Sequence, residues 1–207
     1  MTRLFSLLAP ALLALTSLAA CGPLVQIGGN STPRPDALYT LSAPPPAAVP
    51  AGLKPLDMQQ AVTVDMPSVP GALQTLRIPV TVSDTAIQYL TGAQWSEQPN
   101  RLFQRLLADT LASNGVSVVD QRSSGQSGGR RLTGQLMAFG VDVRNGRQVH
   151  VRYDAQLAGP DGVRQRRFER EVPLANVQGP DAAVALNQAA NAVAADVALW
   201  VRGAPAS

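Results

Sequence analysis

Cysteine, histidine and lysine are nearly absent from this chain of 207 residues. The one cysteine, Cys21, cannot close an internal disulfide and is too few for a zinc or iron–sulfur site. The one histidine, His150, leaves nucleophilic serine or cysteine chemistry with a single candidate base. It lies mid-strand on a polar face between Gln148 and Arg152, where a solvated sheet position is the simpler reading. Carboxylates are scattered rather than clustered, so no metal-ligand set stands out. No phosphate-binding loop or dinucleotide fingerprint occurs, and "GRRLTG" reads as a loop entering a strand. These absences point away from an enzyme and leave no cofactor or metal to expect. Lysine is represented by Lys54 alone among 17 basic residues, the rest being arginine, a bias that GC-rich coding explains.

What is present begins with a greasy leader. Arg3 is the sole charge in residues 1–20, and Leu4 to Leu18 is almost wholly apolar. A basic start followed by a short hydrophobic run is the layout of a secretory signal. A spanning helix needs about 20 apolar residues, and Pro10 interrupts this run. "LAAC" (Leu18–Cys21) resembles a bacterial lipobox, which implies cleavage before Cys21 and lipidation of its thiol and freed amine. Two or more acyl chains anchor stably where one does so marginally. An ordinary cleaved signal or an uncleaved anchor helix are the competing readings. Gly22, in place of the aspartate that retains such proteins at the inner membrane, favours the outer membrane. For an exported chain with a net charge of +3 and no binding motif, nucleic acid is a poor partner.

Residues 22–36, "GPLVQIGGNSTPRPD", lack periodicity and read as a tether. "ALYTL" (Ala37–Leu41) is a short β-type run ahead of a second Pro/Ala-rich spacer, and should dock at a sheet edge. The expected organisation is a signal peptide over 1–20, a lipidated Cys21 with tether and one strand over 21–57, and a single domain over 58–203. Within that domain "AVTVD", "RIPVTVS", "TAIQYL" and "VSVVD" read as short strands, with Pro79 suggesting an edge or a strand start. Leu102, Phe103, Leu106, Leu107 and Leu111 form one helical stripe, with Asn100 as N-cap and Gly115 at the C-terminal end.

Three longer strands follow as a meander. In Arg130–Val143 the apolar positions switch from even to odd, which places a bulge near Ala138–Gly140. The strand through Val149, Val151, Tyr153, Ala155 and Leu157 alternates cleanly, and "GPDG" turns it into a third strand over about 163–172. A closing Ala-rich helix spans about 181–201. One apolar face per strand and two helices predict an α+β fold: an antiparallel-rich sheet with both helices packed on one face, a two-layer sandwich.

Two features invite a partner. Between Arg122 and Arg170 ten arginines face four acids, densest in "RQRRFER" (Arg164–Arg170). This reads either as a solvated meander face or as a basic surface for anionic lipid or an acidic partner. Trp95 lies in polar "GAQWSEQPN", where no apolar period claims it. It is expected either to plug the helix start or, with Tyr89, to form a partner-binding surface.

The order of these segments resembles the ABC-type transport auxiliary lipoproteins, the family that includes paraquat-inducible protein C. The resemblance is carried by the lipobox, the proline-rich tether, Leu38-Tyr39-Thr40-Leu41, and Ile87-Gln88-Tyr89. It continues through Trp95 with Glu97 and Pro99, "RFEREVP" (Arg167–Pro173), and the closing helix ending in Trp200. It implies a lipoprotein on the periplasmic face of a membrane, serving an ABC transporter and its MCE-domain protein in moving lipids between inner and outer membranes. The role would be non-catalytic docking. The alternatives are an envelope assembly or activation lipoprotein, for lipopolysaccharide insertion or peptidoglycan synthesis, and a direct lipid carrier. The sequence leaves oligomeric state open.

Overall fold

Alternation of apolar and polar side chains builds the frame of the domain. A computed structural model describes residues 37–45, 57–120 and 128–203, with single positions 35 and 125. All fall within one compact unit, Pro33–Ser207. In chain order the elements are β1 (Ala37–Tyr39), β2 (Val62–Val64), a 3-10 turn (Gly71–Leu73), β3 (Arg77–Thr81), β4 (Ile87–Trp95) and α1 (Pro99–Ser113). They continue with β5 (Val118–Val119), β6 (Arg130–Asp142), β7 (Gln148–Gly159), β8 (Gly162–Pro173) and α2 (Gly179–Val201).

The eight strands form one mixed, mostly antiparallel sheet, and with the two helices they make the expected α+β fold. β6 organises it. Along one edge it pairs antiparallel with β7 over nearly its whole length. Its other edge is shared end to end: β2 pairs parallel at Arg130–Leu132, Ser68 bridges to Gln135, and β3 pairs parallel at Val141–Asp142. β3 passes the sheet on to β4, and β1 adds parallel to β4 as the far edge. At the opposite side β8 pairs with β7 alone.

The bulge falls one residue before the expected Ala138–Gly140 stretch. Leu136 opposes Tyr153 and Ala138 opposes Arg152, so Met137 is the extra residue. That single insertion lets Leu136 and Phe139 both point into the core, where both are buried. Pro79 differs from expectation, because β3 lies between β4 and β6 rather than at an edge. The pairing with β4 slips between Arg77 and Pro79, which accommodates a residue with no N–H to donate. Gly140 beside it has no room for a side chain: a Cβ there would sit 2.5 Å from the Pro79 carbonyl oxygen.

Both helices cover the same face. Tyr153 and Phe168 are cross-strand partners, and each meets a helix edge-on: Phe103 of α1 at 5.2 Å and Trp200 of α2 at 5.6 Å. The leucine stripe of α1 is buried as its spacing requires. The helix starts two residues earlier than expected, with Gln98 rather than Asn100 as N-cap and Pro99 in its first turn, a place where proline loses no hydrogen bond. Gly115 ends it with φ 77°, and its neighbour Val116 donates back to the Leu111 carbonyl at 3.0 Å. The alanines of α2 let it lie close: a Cβ on Gly179 would meet that of Ala93 at 2.5 Å. Asn187 and Asn191, one turn apart on α2, hold the backbone of Ser42. Asn187 Oδ1 accepts its N–H at 3.0 Å, and Asn191 Nδ2 donates to its carbonyl at 2.9 Å. The strand isolated between two spacers is thereby fixed at the sheet edge and stitched to a helix.

Candidate docking surfaces

Cys21, the expected lipidation site, lies outside the described residues. Trp95 does not form an exposed partner surface. β4 continues past Leu90 to include it, and its side chain is 0% exposed. The ring lies 5.3 Å from that of Phe139, and the indole N–H has no acceptor among the described residues. Burial places it in the core, so a contact through its ring is closed to a partner in this structure. The signal that escapes sequence reading is period two: Ala93 and Trp95 both point inward, across the polar Gln94. Tyr89 lies on the same strand but is only partly buried. Its hydroxyl donates to the Ala72 carbonyl at 3.3 Å, and the Arg77 guanidinium lies over its ring at 4.5 Å. The two residues are therefore not brought together as one surface.

The face of the sheet away from the helices carries ion pairs built across strands. Arg131 of β6 grips Asp65 at 2.7 Å. Asp154 of β7 accepts from Arg167 at 2.7 Å and from Arg152 at 3.1 Å. His150 Nε2 and Glu169 Oε1 are 2.5 Å apart. No hydrogen bond joins His150 to a serine, threonine or cysteine among the described residues, and no group of three metal-ligating side chains occurs among them. Arg144 bridges Asp142 at 2.6 Å and Asp84 at 2.7 Å.

The pairs Asp142–Arg144 and Asp154–Arg167 shift both partners. Hydrogen bonding to Arg144 holds the Asp142 carboxyl below its usual range against the opposing effect of burial. Asp154 is lowered first by Arg167 and then, after the opposing cost of burial, by Arg152. Arg144 is raised by its hydrogen bond to Asp142 and then by that to Asp84. Beneath this face Tyr153 is raised by burial, its hydroxyl donating to the Thr133 carbonyl at 2.9 Å.

Four of the ten arginines, Arg131, Arg144, Arg152 and Arg167, are thus paired on the open face, and its chemistry is that of a solvated, paired surface. The helix-facing side of β8 differs. Arg170 pairs with Asp196 of α2, but Arg164 and Arg166 meet rings instead. Arg164 lies 5.3 Å over Trp200, and Arg166 lies 5.2 Å over Phe168. A groove of about 260 Å³ opens on the other face where β3 and β6 diverge, with Pro70, Ala72, Ile87 and Met137 among its walls. Asp142, Arg144 and His150 also line it, each already engaged in a pair.

The described residues thus form an α+β sandwich with both helices on one face of the sheet and cross-strand ion pairs on the other. Residues 39–198 match the family described as ABC-type transport auxiliary lipoprotein component. The chain belongs to that family, which sets it as an accessory to an ABC transport system. Among solved structures it is similar to protein XCC0632 from Xanthomonas campestris, of the DUF330 family. That match has 19% identity and a TM-score of 0.62, covering 80% of this chain and 94% of the other. A crystal structure titled only as an uncharacterized protein is similar at 17% identity and a TM-score of 0.63, over 79% of this chain and 97% of that one. At these identities the likeness is one of fold. Among curated proteins none matches the sequence.

Proposed function

We propose that this protein is the lipid-anchored, non-catalytic docking subunit of an MCE-type ABC transporter system that moves lipids between the inner and outer membranes. The family match over 39–198 carries the reading, supported by the leader that precedes it. Acyl chains on Cys21 would hold the protein at the periplasmic face of a membrane, the outer one by virtue of Gly22. The domain would then meet the MCE-domain protein at the end of the tether, whose fifteen residues reach about 50 Å when extended. The packed interface between helices and sheet, filled by Trp95, Phe103, Phe139, Tyr153, Phe168 and Trp200, supports docking over carriage of a lipid inside the domain.

Two measurements test this. Cys21→Ser should leave the precursor unprocessed or release the protein to the soluble periplasm; correct cleavage with undiminished membrane fractionation refutes the anchor. Affinity purification of the full chain from the envelope in mild detergent should recover an MCE-domain protein and an ABC ATPase. Recovery of a peptidoglycan synthase or the lipopolysaccharide insertion machinery in their place refutes the transporter assignment.

A further inference from the structure

We propose that the end of the domain where β8 begins and α2 ends docks on the phosphate headgroups of an anionic lipid surface. This inference rests on the surface itself and not on the transporter reading. Four arginines converge there. Arg130, first in β6, donates to the Val201 carbonyl at 3.0 Å and to the Gln60 carbonyl through Nη2 at 2.7 Å and Nε at 3.0 Å. Arg164 stands on Trp200, one residue from Val201. Arg166 follows two residues along β8 over Phe168, and Arg202 caps the helix. None of the four has a carboxylate partner among the described residues, in contrast to Arg131, Arg144, Arg152, Arg167 and Arg170. The repulsion between Arg130 and Arg164 is strong enough to help lower the pKa of Arg130, after burial.

The carboxylates at this end are Asp161, exposed in the β7–β8 turn, and Asp57, in the turn before β2. Asp57 accepts the Gln59 N–H at 3.0 Å. Asp196, further along α2, is taken by Arg170. Positive charge is therefore in excess. Arg164 and Arg166 lie within cation–π distance of their rings and have no carboxylate partner among the described residues, so their N–H groups are available to an acceptor such as phosphate oxygens.

Aliphatic side chains decide between a membrane and an acidic protein. Leu199, in the last turn of α2 one residue before Trp200, is 39% exposed, and Val163, beside the turn on the other face of β8 from Arg164, is 62% exposed. Exposed aliphatic groups on both sides of the domain's end, next to unpaired cations, fit the boundary between headgroups and acyl chains, which requires no matching relief.

The test uses the full chain held in phosphatidylcholine nanodiscs, mixed with vesicles and separated by flotation. Nanodiscs should float with vesicles in which about a third of the lipid is phosphatidylglycerol, and not with vesicles of phosphatidylcholine alone. Each cation on an anionic surface contributes about fivefold to partitioning, so Arg164→Gln with Arg166→Gln should weaken it about thirtyfold. The matching double lysine variant should keep most of the binding, because an anionic surface reads charge. Equal flotation with both vesicle types overturns the proposal, as does wild-type binding by the glutamine variant. A lysine variant as weak as the glutamine one overturns it too, by assigning the arginines a stacking role alone. Soluble polyglutamate binding in the absence of vesicle binding would give the surface to an acidic protein and overturn the choice of lipid. The thermal midpoint of each variant, expected to stay near that of the wild type, separates lost docking from lost folding.

Discussion

Trp95→Ala should destabilise the domain rather than remove a partner contact. The side chain is fully enclosed at the end of β4 and lies against Phe139 at 5.3 Å. Truncation removes its transfer free energy and leaves a cavity that the surrounding sheet and helices only partly close. Such substitutions cost about 3–5 kcal/mol, and in a domain of this size that lowers the thermal midpoint by about 10 °C. Trp95→Phe makes the reasoning sharper. Losing three heavy atoms costs about 2 kcal/mol of burial, while removing an indole N–H that has no acceptor returns about 1–3 kcal/mol. The two nearly cancel, so the phenylalanine variant should lie within about 1 kcal/mol of wild type. Urea denaturation followed by circular dichroism measures both. A loss under about 1 kcal/mol for Trp95→Ala would refute the core assignment. A loss as large for Trp95→Phe as for Trp95→Ala would show that the indole nitrogen is satisfied after all.

Leu106→Ala, in the buried stripe of α1, should cost about 2–5 kcal/mol by the same assay, and a loss under half of about 1 kcal/mol would mean the stripe faces solvent. Gly140→Ala should cost about 1–3 kcal/mol, since its Cβ would press on the Pro79 carbonyl at 2.5 Å; a neutral result would show that β3 and β6 can part freely. Asp142 and Asp154 are held below their ordinary values by Arg144 and Arg167. Their contribution is therefore complete above about pH 4 and disappears as pH falls through the lowered folded values. Stability measured against pH should decline in that acid window, and Asp142→Asn with Asp154→Asn should flatten the decline; an unchanged slope would show that the pairs do not act.

Much of this architecture is legible in the residues themselves. β6 and β7 show because one face is buried and the other solvated, so alternation survives along each strand, whereas β8, with Phe168 its one buried residue, shows through the "GPDG" turn that precedes it. The bulge at Met137 shows because the alternation changes phase there. α1 shows because its stripe repeats at the helical period. β4 is cut short in the reading because Thr91, Gly92 and Gln94 interrupt the apolar pattern, with Gly92 at φ 71°. What secures its end is the arrival of β1 and of α2 from elsewhere in the chain. The parallel pairings of β2 with β5 and β6 carry no local turn signal, since their partners lie tens of residues away. The same distance hides the docking surface. A run of arginines is visible in "RQRRFER", but which of them are neutralised depends on Asp154 across a hairpin and Asp196 on a helix. Only their joint placement separates a paired face from an unpaired end.

The shared edge of β6 has a consequence for how the chain acquires its shape. β2 and β3 each lean on this one strand in parallel, the first through its beginning and the second through its end. A parallel neighbour so far along the sequence cannot be won by a simple reversal of the backbone, and closing such long loops is slow. During synthesis or export, β2 must wait with its apolar residues uncovered until the segment from Arg130 onward emerges. The hairpins β6–β7 and β7–β8, by contrast, close over a few residues and can form at once. The second half of the polypeptide is thus the template on which the first half is laid down. A chain interrupted before Arg130 should remain open to proteases however long it is given to fold.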